Sequence, residues 1–249
     1  MLRFLFICAI FVVSLTLAAT ARAATDTDGD GLTDEEEIRI YATDPALADT
    51  DADGYPDKLE LEHGYSPRFF GKRLAEVDSD SDYLVDAWEL ALGTGIMEPD
   101  SDGDKYLDGT EVRAGYDPLN ASPDPATKLA KLISVDLVSQ HLTYSLGGKT
   151  LEQFAISGGL PRTPTPVGDF NVITKRDTVH YRGVGFDYPN TRWNLRFAWS
   201  KGYSYYIHGA WWHNDFGAPR SHGCVNVAYD NMERLYTWAQ VGTKVVISS

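Results

Sequence analysis

The chain has 249 residues, of which 43% are hydrophobic, and it carries a formal net charge of −14. The charge is uneven: residues 24–125 hold 28 acidic and 7 basic side chains, whereas residues 126–249 hold 8 acidic and 13 basic ones. Opposite charge in two segments predicts two domains with different partners. We expect no nucleic-acid partner.

The first residues have the pattern of a secretory signal peptide. Arg3 precedes a mostly apolar run from Phe4 to Ala19, and Ala21-Arg22-Ala23 has the small-x-small form of a cleavage site. The run is shorter than the roughly 20 residues of a membrane-spanning helix. We therefore predict that residues 1–23 are removed, that the protein is secreted to the periplasm or cell envelope, and that it has no membrane span after cleavage.

Residues 24–118 contain four copies of an acidic loop with the pattern D-x-D-x-D-x-x-x-D-x-x-E. Its acids are, copy by copy, Asp26, Asp28, Asp30, Asp34 and Glu37; Asp49, Asp51, Asp53, Asp57 and Glu60; Asp78, Asp80, Asp82, Asp86 and Glu89; and Asp100, Asp102, Asp104, Asp108 and Glu111. Alternate carboxylates, closed by a Glu that offers two oxygens, suit the six to eight oxygen ligands of Ca²⁺. Periodic apolar residues accompany the acids and disfavour a disordered acidic linker. The pattern predicts structural calcium sites.

Short helices are predicted between these loops, because eleven residues between Glu37 and Asp49 leave no room for full helix–loop–helix pairs. The first helix should end near Tyr41. Residues 26–118 resemble the calcium-binding repeats of the thrombospondin type 3 and dockerin kind, and we expect a cell-surface or protein partner for this array.

Loop position 6, where a sharp turn favours glycine, differs among the copies. Copies one and two have Gly31 and Gly54 there, whereas copies three and four have Tyr83 and Lys105. A left-handed backbone is costly for a residue with a side chain. We therefore expect copies three and four to bind calcium more weakly or to be locally rearranged.

A Pro-rich linker is predicted over residues 119–127. It is followed by the thiol domain, residues 128–249, which contains Cys224 and is expected to have a core of its own. Strand-like runs cover residues 133–137, 141–146, 150–157, 169–174 and 244–247. Residues 230–239 have helical periodicity, with Asp230 and Glu233 as a capping box. These patterns predict a mainly β fold with one main helix.

Cys224 is the single cysteine left after removal of the signal peptide, so no internal disulfide is expected. A buried inert thiol and a nucleophile are the alternatives, and a nucleophile needs a base and oxyanion donors. His208, at the end of a strand-like run, is the candidate base, and His222 competes with it. The N–H groups of Gly223 and Cys224 are candidate donors, whereas His208, His213, His222 and Cys224 as zinc ligands would lack a known spacing.

Two ordered motifs then resemble the L,D-transpeptidase family. They are Ile207-His208-Gly209 with Ser221-His222-Gly223-Cys224-Val225-Asn226, and the upstream segment Thr163-Pro-Thr-Pro-Val-Gly-Asp-Phe170. The resemblance covers residues 129–248. It implies a β-sandwich-like catalytic fold, peptidoglycan stem peptides as the substrate and no cofactor for catalysis.

The resemblance also implies roles for individual residues. Cys224 would be the nucleophile and His208 the base, with the carbonyl of Gly209 orienting the ring and His222 close by. Candidate substrate-binding residues are Arg220, Ser221, Gly223, Asn226 and Tyr206. Most aromatic residues around His208 are expected to be strand core.

Three functions remain open beside a transpeptidase whose calcium repeats position it. With water as the acceptor, the same chemistry makes an L,D-carboxypeptidase. A general cysteine peptidase would instead cleave ordinary L-peptides. An inactive thiol domain would leave a non-catalytic, calcium-dependent cell-surface binding protein.

Overall fold

The computed structural model describes residues 25–122, 127–200 and 202–249. The predicted signal peptide, residues 1–23, lies outside the described residues, as do residues 123–126 of the predicted linker. In the three described ranges, no helix has both the length and the apolar character needed to cross a membrane.

The acidic segment folds as four units, in each of which a short helix follows an acidic loop. The helices are α1 (Asp34–Glu36), which continues as a π-helical turn (Glu37–Tyr41), α2 (Asp57–Glu62), α3 (Asp86–Leu92) and α4 (Asp108–Ala114), with a 3-10 turn (Leu74–Glu76) before the third loop. The first helical segment ends at Tyr41, as predicted, where Ala42 adopts a left-handed conformation. These lengths agree with the expected absence of full helix–loop–helix pairs.

The four loops are joined in two pairs by equivalent hydrogen bonds. The backbone N–H of Lys58 donates to Asp30 (3.2 Å), and the backbone N–H of Gly109 donates to Asp82 (2.7 Å). In each case loop position 10 of one copy contacts loop position 5 of the copy before it. Copies one and two with their helices (residues 26–62) are therefore the first loop pair, and copies three and four with their helices (residues 78–114) are the second loop pair.

Every loop turns through two residues with left-handed backbone angles, at loop positions 4 and 6. These are Gly29 and Gly31, Ala52 and Gly54, Ser81 and Tyr83, and Gly103 and Lys105. Copies three and four thus keep the conformation of the other copies, so of the two expected alternatives the local rearrangement does not occur and weaker calcium binding stays a prediction. A left-handed residue with a Cβ costs roughly 1–2 kcal/mol. Copy three, with no glycine at either position, holds the most backbone strain.

The remainder of the chain forms two sheets and one main helix. The strands are β1 (Lys131–Asp136), β2 (His141–Leu146), β3 (Lys149–Ala155), β4 (Gly168–Asn171), β5 (Thr174–Gly183), β6 (Phe186–Ser200), β7 (Tyr203–Gly209), β8 (Val225–Val227) and β9 (Lys244–Ser248), and the helix is α5 (Tyr229–Trp238). The sheets have the orders β3-β2-β1-β9-β4 and β5-β6-β7-β8. The pairs β1–β9 and β7–β8 are parallel and the other pairs are antiparallel. The predicted mainly β fold is confirmed.

Alternating burial along the strands builds the core. In β2, Leu142, Tyr144 and Leu146 are fully buried while the residues between them are partly exposed, as expected where one strand face meets the core. Met232 and Leu235 of α5 are also fully buried. Both sheets and α5 contribute to one hydrophobic cluster.

This cluster also contains residues of the second loop pair, which differs from the expectation that the thiol domain has a core of its own. Leu84, Trp88, Leu92 and Val112 are buried in the same cluster as the strands. Helix α3 lies against β3, and α4 lies against α5. Helices of two turns are marginal alone and gain most of their stability from packing.

Two further differences concern single elements. Helix α5 begins at Tyr229 with Ala228 as its N-cap and no side-chain cap hydrogen bond, so the capping box predicted for Asp230 and Glu233 is wrong. The long hairpin of β5 and β6 was not predicted. Polar and aromatic residues are mixed on both faces of its outer part, which leaves no alternation to detect.

Candidate active site and acidic loops

The parallel pairing of β7 and β8 brings the chain segments of the predicted nucleophile and base together in the second sheet. Ile207 pairs with Val225 and His208 with Asn226. One position earlier, Cys224 is level with Tyr206, whose backbone N–H hydrogen-bonds to the thiol. Tyr181, whose ring stacks on His208, also interacts electrostatically with Cys224, so the thiol and the imidazole share this neighbour.

His208 is held as a neutral ring with a defined tautomer. Its Nδ1 lies 2.9 Å from the carbonyl oxygen of Gly209, and the side chain is buried. Because a carbonyl only accepts, Nδ1 carries the proton and Nε2 keeps its lone pair. Burial lowers the pKa of His208 to about 4. At neutral pH the ring can therefore accept a proton.

The Cys224 thiol is also neutral at physiological pH. Burial raises its pKa to about 11, and the backbone hydrogen bond from Tyr206 offsets this only in part. A thiol with this pKa is a weak nucleophile until a base removes its proton. The pair suits proton transfer during attack rather than a preformed thiolate.

Tyr181 on β5 is a site residue that the sequence analysis missed. Its ring stacks on the ring of His208, with centroids 4.5 Å apart, and its hydroxyl donates to Oδ1 of Asn194 (2.9 Å). Asn194 is fully buried and is fixed by the carbonyls of Arg176 and Thr191. Burial, followed by the nearby Cys224, raises the pKa of Tyr181. No motif marks this tyrosine, because its strand is distant in sequence.

The turn before Cys224 is braced from within. The Ser221 hydroxyl donates to the carbonyl of Cys224 and accepts the backbone N–H of Gly223 (3.1 Å). The Gly223 N–H is therefore already used in a hydrogen bond to Ser221. Of the two expected oxyanion donors, the N–H of Cys224 remains. Gly223 has φ 113°, and a Cβ there would lie 2.8 Å from the Tyr205 ring. Glycine is required at this position.

The upstream Thr-Pro segment supports the same turn. The hydroxyl of Thr163 and the backbone N–H of Leu160 both donate to the carbonyl of Ser221, at 3.3 and 2.9 Å. The hydroxyl of Thr165 accepts the N–H of Gly159 (2.9 Å). The two motifs that lie far apart in sequence thus form one hydrogen-bonded unit around the nucleophile.

The structure places His222 and Arg220 at the surface. The ring of His222 lies 4.7 Å from Phe186, at the tip of the β5–β6 hairpin, and the side chain is exposed. Arg220 pairs with Asp215 (2.7 Å), and both side chains are largely exposed. Neither contact involves the thiol.

Asn226 and Tyr206 are buried beside the candidate pair. Asn226 lies 3.1 Å from Nε2 of His213, and burial lowers the pKa of that histidine. The Tyr206 ring meets Tyr181 edge-on at 5.8 Å. Asn226 thus contacts the ring of His213, and Tyr206 contacts the ring of Tyr181. Contact of either residue with substrate stays a prediction.

Three of the aromatic residues that are close to His208 in the sequence are exposed and not strand core. Trp199, Tyr203 and Trp211 are 66%, 71% and 52% exposed. The first two lie where β6 and β7 extend beyond the core. Trp212, in contrast, stacks on Tyr188 at 3.9 Å and lies 5.8 Å from the ring of His208, so it walls the site.

The acidic loops bring the carboxylates of positions 1, 3 and 5 together. In each loop, ligand oxygens of these three residues lie within 4.8 Å of one another: Asp26, Asp28 and Asp30; Asp49, Asp51 and Asp53; Asp78, Asp80 and Asp82; Asp100, Asp102 and Asp104. In the described ranges, these are the clusters of His, Cys, Asp and Glu close enough to hold a metal. The alternative zinc set around Cys224 is not among them.

Positions 9 and 12 have different surroundings. The Asp at position 9 accepts the backbone N–H and hydroxyl of position 2, as Asp86 does from Ser79 at 2.9 and 2.8 Å. The same bonds form at Asp34, Asp57 and Asp108. This Asp therefore braces the loop.

The Glu at position 12 is buried with unsatisfied oxygens. Both carboxylate oxygens of Glu89 and Glu111, and one each of Glu37 and Glu60, have no hydrogen-bond partner. Burial, then neighbouring Asp carboxylates, raises the pKa of Glu89 to about 9 and of Glu111 to about 8. Unpaired buried carboxylates are costly. Hard oxygen donors in this arrangement fit Ca²⁺, which would satisfy them.

Comparison with known proteins gives two family matches. Residues 130–247 match the YkuD model, described as the L,D-transpeptidase catalytic domain, and residues 26–48, 49–64 and 100–121 match the bacterial TSP3 repeat. The unmatched copy is copy three, which lacks both glycines.

The similar proteins are L,D-transpeptidases. "L,D-transpeptidase 1" of Mycobacterium tuberculosis is 32% identical over 128 residues, 47% of this chain and 50% of that protein. Solved structures include an L,D-transpeptidase in complex with imipenem (27% identity, 49% of this chain and 60% of that chain, TM-score 0.45). Another is the catalytic domain of the Enterococcus faecium enzyme (30% identity, 47% of this chain and 96% of that chain, TM-score 0.42).

The chain spans about half the length of the curated relatives that it matches first. The matched segment nevertheless includes β1 to β9, the candidate pair and both motifs. Residues 130–247 therefore belong to the L,D-transpeptidase catalytic-domain family, and they follow bacterial TSP3 repeats.

Proposed function

We propose that the protein is an exported peptidoglycan L,D-transpeptidase that works through a thioester on Cys224. The observation that carries this proposal is the neutral His208 ring, which is oriented by the Gly209 carbonyl and stacks on Tyr181, a residue that also interacts electrostatically with Cys224. The family match supplies the class of substrate, which is the stem peptide of peptidoglycan.

In the first half-reaction, Nε2 of His208 takes the thiol proton as the sulfur attacks the carbonyl carbon of the third stem residue. The oxyanion that forms is stabilised by backbone N–H groups, with the N–H of Cys224 as one donor. The proton then passes to the amine of the terminal D-alanine, the C–N bond breaks, and D-alanine leaves. An acyl thioester on Cys224 remains.

In the second half-reaction, an acceptor amine attacks the thioester carbonyl while His208 removes a proton from the amine. The C–S bond breaks, the sulfur leaves, and the thiol recovers its proton from His208. The product is an amide bond between the third residues of two stem peptides. Water in place of the amine would give a carboxypeptidase.

The acidic loops are proposed to hold structural calcium that positions the enzyme in the envelope. The buried, unpartnered oxygens of Glu89 and Glu111 favour this, because a cation would satisfy them. Position 1, 3 and 5 carboxylates with the Glu of position 12 would supply the ligands. The catalytic steps above use residues of the thiol domain alone.

The test is intact-protein mass spectrometry with imipenem and with stem tetrapeptides. The wild-type chain should gain the mass of one acyl group, and Cys224→Ser should fold but gain none. His208→Asn should lose acylation far more than His213→Asn, its matched control. Acylation of Cys224→Ser, or equal rates for the two histidine variants, would remove these residues from the mechanism.

The products decide between the two acceptors. Incubation with purified disaccharide tetrapeptides should give crosslinked dimers with free D-alanine, whereas tripeptides without dimers would identify a carboxypeptidase. Export is tested separately: a chain that lacks residues 1–23 should remain in the cytoplasm, and the full chain should appear processed in the envelope or medium.

A further inference from the structure

The two loop pairs relate differently to the catalytic domain. Trp88 of the second loop pair packs edge-on against Tyr144 of β2, with ring centroids 5.7 Å apart, and its Nε1 donates to Glu152 of β3 (3.1 Å). In the first loop pair, Ile38 and Leu59 are 65% and 41% exposed. Apolar burial therefore ties the second pair to the strands, while helix faces of the first pair stay in solvent.

Lysine side chains of the catalytic domain close the ends of the second-pair helices. Lys149 of β3 donates to the carbonyl of Leu92 (2.5 Å), and Lys131 of β1 donates to the carbonyls of Arg113 and Trp238 (2.7 Å each). The last carbonyls of a helix lack partners within it and attract cations. Each helix also ends in a left-handed glycine of its own, Gly93 or Gly115, so the lysines add contacts with the domain to caps that the chain already provides.

The same short helices also carry the predicted cation ligands. Helix α3 contains Glu89, whose carboxylate is fully buried and unpartnered, one residue after the docking Trp88. A helix of two turns moves as one body, so the loop cannot open without disturbing the docked face. Helix α3 therefore links the third acidic loop to the hydrophobic core.

A polar connection continues from α3 towards the candidate active site. Glu152, which accepts from Trp88, also accepts from Nε of Arg234 on α5 (2.6 Å). Helix α5 follows β8 directly, and its first residue, Tyr229, packs on Gly209: a Cβ added to that glycine would lie 2.6 Å from the Tyr229 ring. The docked face therefore reaches the strand end that holds His208.

We propose that the second loop pair is a calcium-dependent part of the catalytic fold, so that a cation bound there stabilises the sheets and α5, whereas a cation in the first loop pair does not. This rests on the calcium binding proposed above.

The test is hydrogen exchange of the full chain, read by mass spectrometry, with calcium and with chelator. A ligand that binds only the folded state multiplies the folded-to-open ratio by 1 + [L]/Kd. With calcium at about 100 times its Kd, exchange in β1, β3 and α5 should slow on the order of 100-fold.

Matched variants show which loop pair is responsible for the slower exchange in calcium. Glu89→Gln should lose most of this slowing, whereas Glu60→Gln, the same change at the same loop position of the first pair, should keep it. Trp88→Phe keeps an aromatic ring but removes the hydrogen bond to Glu152. In this variant calcium should still slow exchange in residues 78–89, but it should slow exchange in α5 less than in the wild type. The variant tests the coupling even if Glu89→Gln does not fold.

Each outcome has a separate meaning. Slower exchange in residues 78–89 with no change in β1, β3 and α5 would overturn the coupling and leave calcium binding intact. No calcium effect on any loop would overturn both the coupling and the calcium proposal. Imipenem acylation of the same samples reports on the catalytic proposal independently of either.

Discussion

Burial gives the two central side chains their ionisation states: the pKa of His208 falls to about 4 and that of Cys224 rises to about 11. Removing a charged form from water is costly, so both groups stay neutral at physiological pH. The stack of Tyr181 on His208 and the Gly209 carbonyl hold the ring in one orientation. The proposed attack therefore begins from a neutral pair, and two predictions follow from the residue scale.

The first prediction concerns the pH dependence of acylation by imipenem. Protonated His208 cannot accept the thiol proton, so the rate should be retained at pH 5 and should fall as the pH drops through about 4. Stopped-flow or mass-spectrometric rates from pH 3.5 to 8 would measure this, with circular dichroism as the check on folding. A half-point near 6.5, the usual histidine value, would contradict it.

The second prediction concerns stability in acid. The folded pKa of His208 is depressed below the unfolded value, so its contribution is complete above pH 6.5 and is lost as the pH falls towards 4. The loss should reach about 3 kcal/mol in the free energy of unfolding by pH 4. Urea titrations at pH 7 and 4.5 should show a smaller acid loss for His208→Asn than for the wild type. Equal losses would count against this.

At the scale of elements, the four loops share one backbone but differ in strain. Position 6 has φ 99° at Gly54 of copy two and φ 82° at Lys105 of copy four. Glycine adopts this conformation freely, whereas other residues do not. Strain of this kind opposes the folded loop, so it should reduce calcium affinity.

The third prediction exchanges these residues. Gly54→Lys gives copy two the residue of copy four and should weaken its calcium site by about 1 kcal/mol, or roughly fivefold. Lys105→Gly should strengthen copy four by a similar amount, because the same strain and the same glycine entropy enter with opposite sign. Calcium calorimetry on both variants measures the shifts. Tighter binding by Gly54→Lys would contradict the role of strain.

At the scale of the whole molecule, the four acidic repeats do not form one unit, because only the second loop pair packs into the core of the strands. The second loop pair contributes Leu84, Leu92 and Val112 to the common core, and burial of each such side chain is worth about 1.5–3 kcal/mol. A boundary drawn at residue 118 would cut through this core. We therefore expect the chain to divide between the two pairs, near the 3-10 turn at residues 74–76.

The fourth prediction tests this division by truncation. A chain that starts at residue 72 should unfold within a few degrees of the full chain and should be acylated by imipenem. A chain that starts at residue 128 should lose at least 10 °C or aggregate, since it exposes the apolar surface that α3 and α4 cover. Differential scanning calorimetry in calcium compares the three chains. Equal stability of the two truncated chains would refute the shared core.

The sequence by itself determined the four loops, the mainly β class and the candidate pair of Cys224 and His208. These follow from local information, because ligand spacing, strand alternation and two short motifs are each contained in a few consecutive residues. The end of the first helix near Tyr41 was predictable for the same reason.

Only the tertiary structure decided the contacts between distant segments. Tyr181 reaches His208 from another strand, the Thr163 hydroxyl supports the turn at Ser221, and Trp88 enters the core of the catalytic domain. Each contact joins residues 27 or more positions apart, and no periodicity within one segment encodes which distant surface will cover an apolar face. The hydrophobic effect has no preferred direction, so the partner of Trp88 is set by how the whole chain packs.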